Sequence, residues 1–353
     1  MKMAITKSIF NLYFKKRWRT DLMKLSISGL LMLCFFLMTL ACKQDDNLMK
    51  NQTLTGDTWG EKLGFPKDKV VLIMHADDIG MCDEANQAGM VQLAGDHIQS
   101  AAVMVPCEYF DKFAAWYREN PAKDVGLHLT LTSEWKTWRW GPVAGAENVP
   151  GLVDAEGKMW HDVMSVVQNA SAAEVETEIR AQVEKALEAG IKPGHLDTHM
   201  GTLFASYDFT AAYLKVAEEY GIPAMAINMQ DEVAEKFRAQ GYPITDGLIA
   251  LISEYKLPKL DDFHSVSGAP TYEEKRQQFF DQVKEMKPGI NEIIFHPSVG
   301  SDNLKTITNS WQQRIWEYEM FADPVVKDFL TNEGIIFTNW KDIMNRYNER
   351  TQG

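Results

Sequence analysis

An α/β fold built on a parallel sheet is predicted by three features of the 353-residue chain. Apolar runs alternate with helix-period stripes from residue 70 onward. The first of these runs is continuous, as in strands covered on both faces, and acids or histidines stand where several runs end. On parallel sheets, sites lie beyond the carboxyl ends of the strands.

The first strand, Val70 to Met74, runs straight into His75, Ala76, Asp77 and Asp78. Two adjacent like charges need a counter-charge, a shared proton or a metal, unless they are solvated at the start of a loop. A helix over 83–93 follows, closed by Gly95, and then a strand over 98–105 and an aromatic helix over 109–117. Residues 125–132 alternate: Val125, Leu127, Leu129 and Leu131 face one way, while Gly126, His128, Thr130 and Thr132 face the other. In a barrel the apolar set meets the surrounding helices and His128 points into the lumen.

Residues 133–162 form a long irregular insertion, as binding loops often do. Its Trp135, Trp138 and Trp140 either anchor the loop or offer an apolar platform to a sugar ring. Ser171 and Glu174 form a capping box at the start of an acidic helix that Gly190 and Pro193 end. Directly after Pro193 the chain is extended, so His195, Asp197 and His199 share one face, with Asp197 able to fix a histidine tautomer. The second half continues the alternation, with elements over 222–227, 233–240 and 244–255, a strand near 263–266 and a helix over 272–286. A run from Glu292 to Phe295 then ends in His296 and Pro297, and helices flanking a short strand over 334–337 follow.

The N-terminus reads as a processing signal. Lys15, Lys16, Arg17, Arg19 and Lys24 precede an apolar stretch over 30–40 that ends in Leu40-Ala41-Cys42. It resembles a bacterial lipoprotein signal and divides the chain into residues 1–41, removed; 42–69, a lipidated Cys42 with a polar tether; and 70–350, one folded domain. The expected location is exported and membrane-anchored through lipid, on the periplasmic or cell-surface side. Forty-nine acidic against 36 basic side chains give a net charge of −13, and the dense basic cluster sits in the signal, so nucleic acid is not an expected partner. Cys82 and Cys107 are expected as buried free thiols.

Asp77, Asp78, His128, His195, His199 and His296 can thus converge on one barrel mouth. One carboxylate and two imidazoles around a divalent ion leave positions open to water and substrate, and the other aspartate is free to act as a base. The chain resembles the YdjC-like carbohydrate deacetylases. The resemblance rests on Ala76-Asp77-Asp78-Ile79-Gly80, Gly126-Leu127-His128-Leu129-Thr130-Leu131, His195-Leu196-Asp197-Thr198-His199 and Phe295-His296-Pro297, in that order. It implies a distorted (β/α) barrel, Asp78, His128 and His199 as metal ligands, Asp77 as base and His296 as acid. From their placement in the sequence, His195 and Asp197 are expected to support the site and Trp138 to touch substrate.

Magnesium follows from the resemblance, while the donor set suits zinc equally. The implied reaction is hydrolysis of the N-acetyl group of an amino sugar in an N-acetylated oligosaccharide. Departures stand at His75, where the family often has Asn, at Ile79, where it often has Phe, and at Met200-Gly201, where further histidines are common. Two rival readings are another metal hydrolase such as a phosphoesterase, which needs a cationic cluster that the motifs lack, and a non-catalytic sugar-binding lipoprotein.

Overall fold

The computed structural model describes residues 54–351. Seven parallel strands form a curled, open half-barrel flanked by helices, the distorted (β/α) barrel expected. The strands are β1 (Val70–Ile79), β2 (Ser100–Val103), β3 (Val125–Leu129), β4 (Leu196–Thr198), β5 (Asp262–Ser265), β6 (Gly289–Phe295) and β7 (Ile336–Phe337). Their order is β4-β3-β2-β1-β6-β5, with β7 added beside β1. β1 is the axis of the sheet: its first seven residues pair with β6 and its second half with β2. Being covered on both sides explains its continuous apolar sequence, and residues 71–79 are all buried.

The helices follow the sequence pattern closely. α1 (Trp59–Lys62), α2 (Asp83–Ala94), α3 (Phe110–Glu119), α4 (Val163–Asn169), α5 (Ala172–Glu188) and α6 (Tyr207–Tyr220) belong to the first half. In the second half come α7 (Asp231–Ala239), α8 (Asp246–Glu254), α9 (Tyr272–Glu285), α10 (Asp302–Ile307), α11 (Trp311–Ala322), α12 (Pro324–Asn332) and α13 (Trp340–Thr351). Ser171 and Glu174 make the capping box of α5. Cys82 and Cys107 are buried and unpaired.

Two expectations need correction. A polar tether over 42–69 is expected, yet Thr58 caps α1 through a capping box, and Trp59, Leu63 and Phe65 are buried in the main core. Aspartate 261 holds this turn by accepting from the backbone N–H groups of Trp59 and Gly60 at 2.7 and 2.9 Å. The folded body therefore begins before Val70. Residues 222–227 form no full strand; single bridges, Leu196 to Ala224 and Ile227 to Leu260, carry the sheet from β4 toward β5. The signal and Cys42 lie outside the described residues, and among the described residues no helix is long and apolar enough to cross a membrane.

Candidate active site

Parallel strands place their last residues at one end of the barrel, and there β1, β3, β4 and β6 deliver the acids and histidines. Successive residues of a regular strand point to opposite faces. Asp77 and Asp78 nevertheless reach the same interior, because the pairing of β1 with β2 shifts register between Ala76 and Ile79, and Asp78 takes a left-handed φ of 60°. Aspartate tolerates this conformation better than most residues, and such strain commonly sits at functional positions.

Three ligand-competent atoms face one another. Asp78 Oδ1 lies 3.4 Å from His128 Nε2 and 3.3 Å from His199 Nδ1, and the two ring nitrogens are 3.2 Å apart. All three residues are buried. An ion bonded at roughly 2.0–2.2 Å to each would span such a triangle, and one carboxylate with two imidazoles is a common donor set for a divalent cation. The hydrogen bonds around the triangle point the same way. Nδ1 of His128 donates to Asp197 Oδ1 at 2.6 Å, and Nε2 of His199 donates to Glu134 Oε2 at 3.0 Å, so in the neutral rings the facing nitrogens carry the lone pairs a metal needs. Asp78 Oδ1 has no hydrogen-bond partner. The donor set therefore fits a divalent ion.

The charges agree with that fit. Burial works against the charge on Asp78, but the Arg314 guanidinium, 2.6 Å from Oδ2, helps to hold its carboxyl well below the usual range. Burial likewise disfavours protonation of the two histidines. Asp197 and Asp77 nonetheless raise His128 well above the ordinary value, and Glu134 and Asp78 raise His199 to about 9. Positive charge is wanted at this spot.

Asp77 stands just beyond the triangle. Burial pushes its carboxyl well above the ordinary range, and Oδ1 has no hydrogen-bond partner. His296 Nε2 approaches Asp77 Oδ2 at 4.0 Å, and His296 is half-buried, opening on a cavity of about 410 Å³ that the triad also lines. Burial lowers the His296 imidazole below its ordinary value.

The chain belongs to the YdjC-like protein family. The family's model matches residues 71–332. A carbohydrate deacetylase of Brevibacillus brevis is 34% identical over 275 residues, covering 77% of this chain and 99% of that protein. One of Thermus thermophilus is 29% identical over 272 residues, covering 76% and 92%. Among solved structures, an Enterococcus faecalis V583 protein named for cellobiose-phosphate cleavage shares the fold, with a TM-score of 0.64 at 24% identity over 78% of this chain and 99% of that one.

Within this YdjC-like barrel the structure sorts the sequence candidates. Asp77, Asp78, His128, His199 and His296 line one cavity, and Asp197 stands behind His128. His195 does not join them. β4 covers only Leu196–Thr198, and His195 turns into the barrel floor, where it stacks on Trp340 with ring centroids 5.4 Å apart. Its room comes from Gly126, since a Cβ there would stand 2.3 Å from the His195 ring. Trp138 does not line the cavity either. Its indole N–H donates to the Met81 carbonyl at 2.9 Å and its ring stacks on Tyr109, so it fastens the insertion to a satellite core. Glu134 and Arg314 escaped sequence reasoning. Glu134 opens an irregular loop and Arg314 lies on α11, so neither falls at the end of an apolar run; Glu134, two residues after the alternating run, left a faint signal.

Proposed function

We propose that this protein is a metal-dependent carbohydrate deacetylase that hydrolyses the N-acetyl group of an amino sugar within an oligosaccharide. The observation that carries the reading is the Asp78, His128 and His199 triangle set beside the unpartnered carboxylate of Asp77 and the half-buried imidazole of His296. The carbohydrate deacetylases named above support it. Arg314 argues against a phosphate clamp, because its guanidinium is engaged by Asp78.

A divalent ion bound there, magnesium or zinc, supplies Lewis acidity toward the amide carbonyl and toward water. Asp78, His128 and His199 would hold it, with Asp197 and Glu134 fixing the two imidazole tautomers. Asp77 takes a proton from the attacking water; its raised affinity for protons makes it a stronger base than an exposed carboxylate. His296 passes a proton to the departing nitrogen, and its lowered pKa makes the protonated form a ready donor. Arg314 keeps Asp78 ionised throughout.

Acetate release from N-acetylated oligosaccharides, measured with and without added metal, tests the assignment. Release that depends on metal supports it; no release from any such substrate overturns it. The exported, lipid-anchored position is proposed with it. Cys42→Ser should move the protein out of the membrane fraction, because the thioether forms only on that sulfur; continued membrane partitioning would refute the anchor.

A further inference from the structure

We propose that the cavity beside the triad also takes an alkyl chain, so that amino sugars whose N-acyl group is longer than acetyl are cleaved as well as the N-acetyl ones, and faster. This rests on the reading of the site as a carbohydrate deacetylase and extends it to longer acyl groups on the same nitrogen.

The cavity of about 410 Å³ has two unlike halves. One half is the polar cluster already described. The other is walled by Met225, Ile227, Phe237, Ile244, Phe263 and Ile294. Three polar residues also line the cavity away from the cluster: Thr198, whose hydroxyl oxygen accepts from the Leu203 N–H at 3.1 Å, Tyr242, whose ring packs edge-on to Phe237, and Ser265, exposed at the end of β5. A sugar ring lodged against that wall would leave several hydroxyls without partners, each costing free energy. The methyl of an acetyl group, near the size of a water molecule at ~30 Å³, fills a small part of the space. A linear alkyl chain fills it without asking for hydrogen bonds.

The wall is built into the fold. Met225 and Ile227 sit in the segment that bridges β4 toward β5, both buried to 6% exposure or less. Phe237 is carried by α7, and Lys236 ties that helix to β5 through Asp262 Oδ1 at 2.6 Å and the Phe263 carbonyl at 3.0 Å. Ile294 lies on β6 two residues before His296, so the alkyl wall and the proposed acid share one strand end. The reaction is balanced by water alone: the C–N bond breaks, a C–O bond forms, the nitrogen leaves as the amine and the chain leaves as an alkanoate.

The test uses the full-length, metal-loaded protein and a series of glucosamine oligosaccharides bearing N-acetyl, N-butanoyl, N-hexanoyl or N-octanoyl groups. We expect kcat/KM to rise along the series by up to roughly fourfold per methylene buried. Calorimetric titration with acetate, butanoate, hexanoate and octanoate should show affinity rising in the same order. Met225→Gln, which keeps the shape of the wall but adds a polar amide, should lower the ratio of octanoyl to acetyl turnover at least several-fold. Robust acetyl hydrolysis with no gain along the series, and alkanoate affinity independent of length, would overturn the alkyl pocket while leaving the deacetylase reading intact. Length-dependent alkanoate binding with no hydrolysis of any amide would instead overturn the deacylase reading and keep the pocket.

Discussion

Two clusters of ionisable side chains lie at successive depths of the same barrel, and they differ in access and in charge matching. The upper one, at the strand ends, holds Asp77, Asp78, His128, His199 and His296 and opens on the cavity. The lower one comes from earlier positions on the same strands: His75 on β1, Asp124 just before β3, His195 before β4 and Glu292 on β6, all buried around Trp340. In the upper cluster, carboxylates raise the affinity of His128 and His199 for positive charge. In the lower one, burial wins. It drives His75 down to about 4 and His195 well below its ordinary value, and pushes Glu292 well above its own. His75 comes within 3.3 Å of Asp77 and 3.4 Å of both Asp197 and Glu292, yet neither ring nitrogen is aligned for a hydrogen bond. The lesson is that histidines and acids make a site only where ligand atoms converge and solvent can arrive; below that level the same residue types form a buried packing layer in which burial disfavours charge.

The largest effect that tests this contrast is on metal. Alanine at Asp78, His128 or His199 should abolish tight binding of a divalent ion and reduce acetate release to background, because two remaining ligands compete poorly with water. Alanine at His75 or His195 should leave the stoichiometry at one ion per chain, while costing about 2–4 kcal/mol of stability through the cavity left in a packed core. Metal titration and urea unfolding of the two sets read both quantities. A second bound ion in the wild type that disappears in His195→Ala would erase the distinction between the clusters.

Within the upper cluster, Asp77→Asn should keep the ion and lose roughly 10²–10⁴-fold in rate, the usual worth of a positioned base. His296→Ala should also retain the ion, and its loss should be greatest for substrates with a poor leaving amine. Equal loss of metal in Asp77→Asn and Asp78→Asn would show that the two aspartates share one role.

Much of this arrangement was legible in the sequence because it follows from period two and strand ends. The alternation around His128 put it in the lumen, and the run ending in Phe295 and His296 put that histidine at the rim. The same logic put His195, Asp197 and His199 on one interior face, as found, but it took no account of depth and so placed His195 at the mouth. The strand stops at Thr198, and the chain turns through left-handed conformations at Met200 and Gly201, with φ of 54° and 65°. His195 lies four residues before His199 along this extended segment, roughly 13 Å deeper at about 3.3 Å per residue, while the turn after His199 ends the strand at the mouth. Arg314 is 236 residues from its partner Asp78, and nothing local in a helix announces such a pairing. Trp59 was hidden for the opposite reason, as an aromatic in an otherwise polar stretch whose burial depends on Asp261, far along the chain.

The smallest effect belongs to the lower cluster and concerns pH alone. Asp124 accepts from the Trp340 backbone N–H at 2.8 Å through Oδ2, while Oδ1 has no partner, and burial raises the carboxyl to about 6. In the unfolded chain it ionises near its ordinary value of 3.8. Between these two values the folded state holds a proton that the unfolded state has released, so stability falls as pH rises through about 4 to 6 and the penalty is constant above. Asp124→Asn keeps an oxygen for the Trp340 N–H and removes the titration. The variant should therefore gain on the wild type across that window, by up to about 3 kcal/mol, and run parallel to it on either side. Urea unfolding at closely spaced pH values measures the difference directly. Curves parallel from pH 4 to 7 would mean that Asp124 ionises in the folded protein as it does in water, and that the lower layer of the barrel is open to solvent.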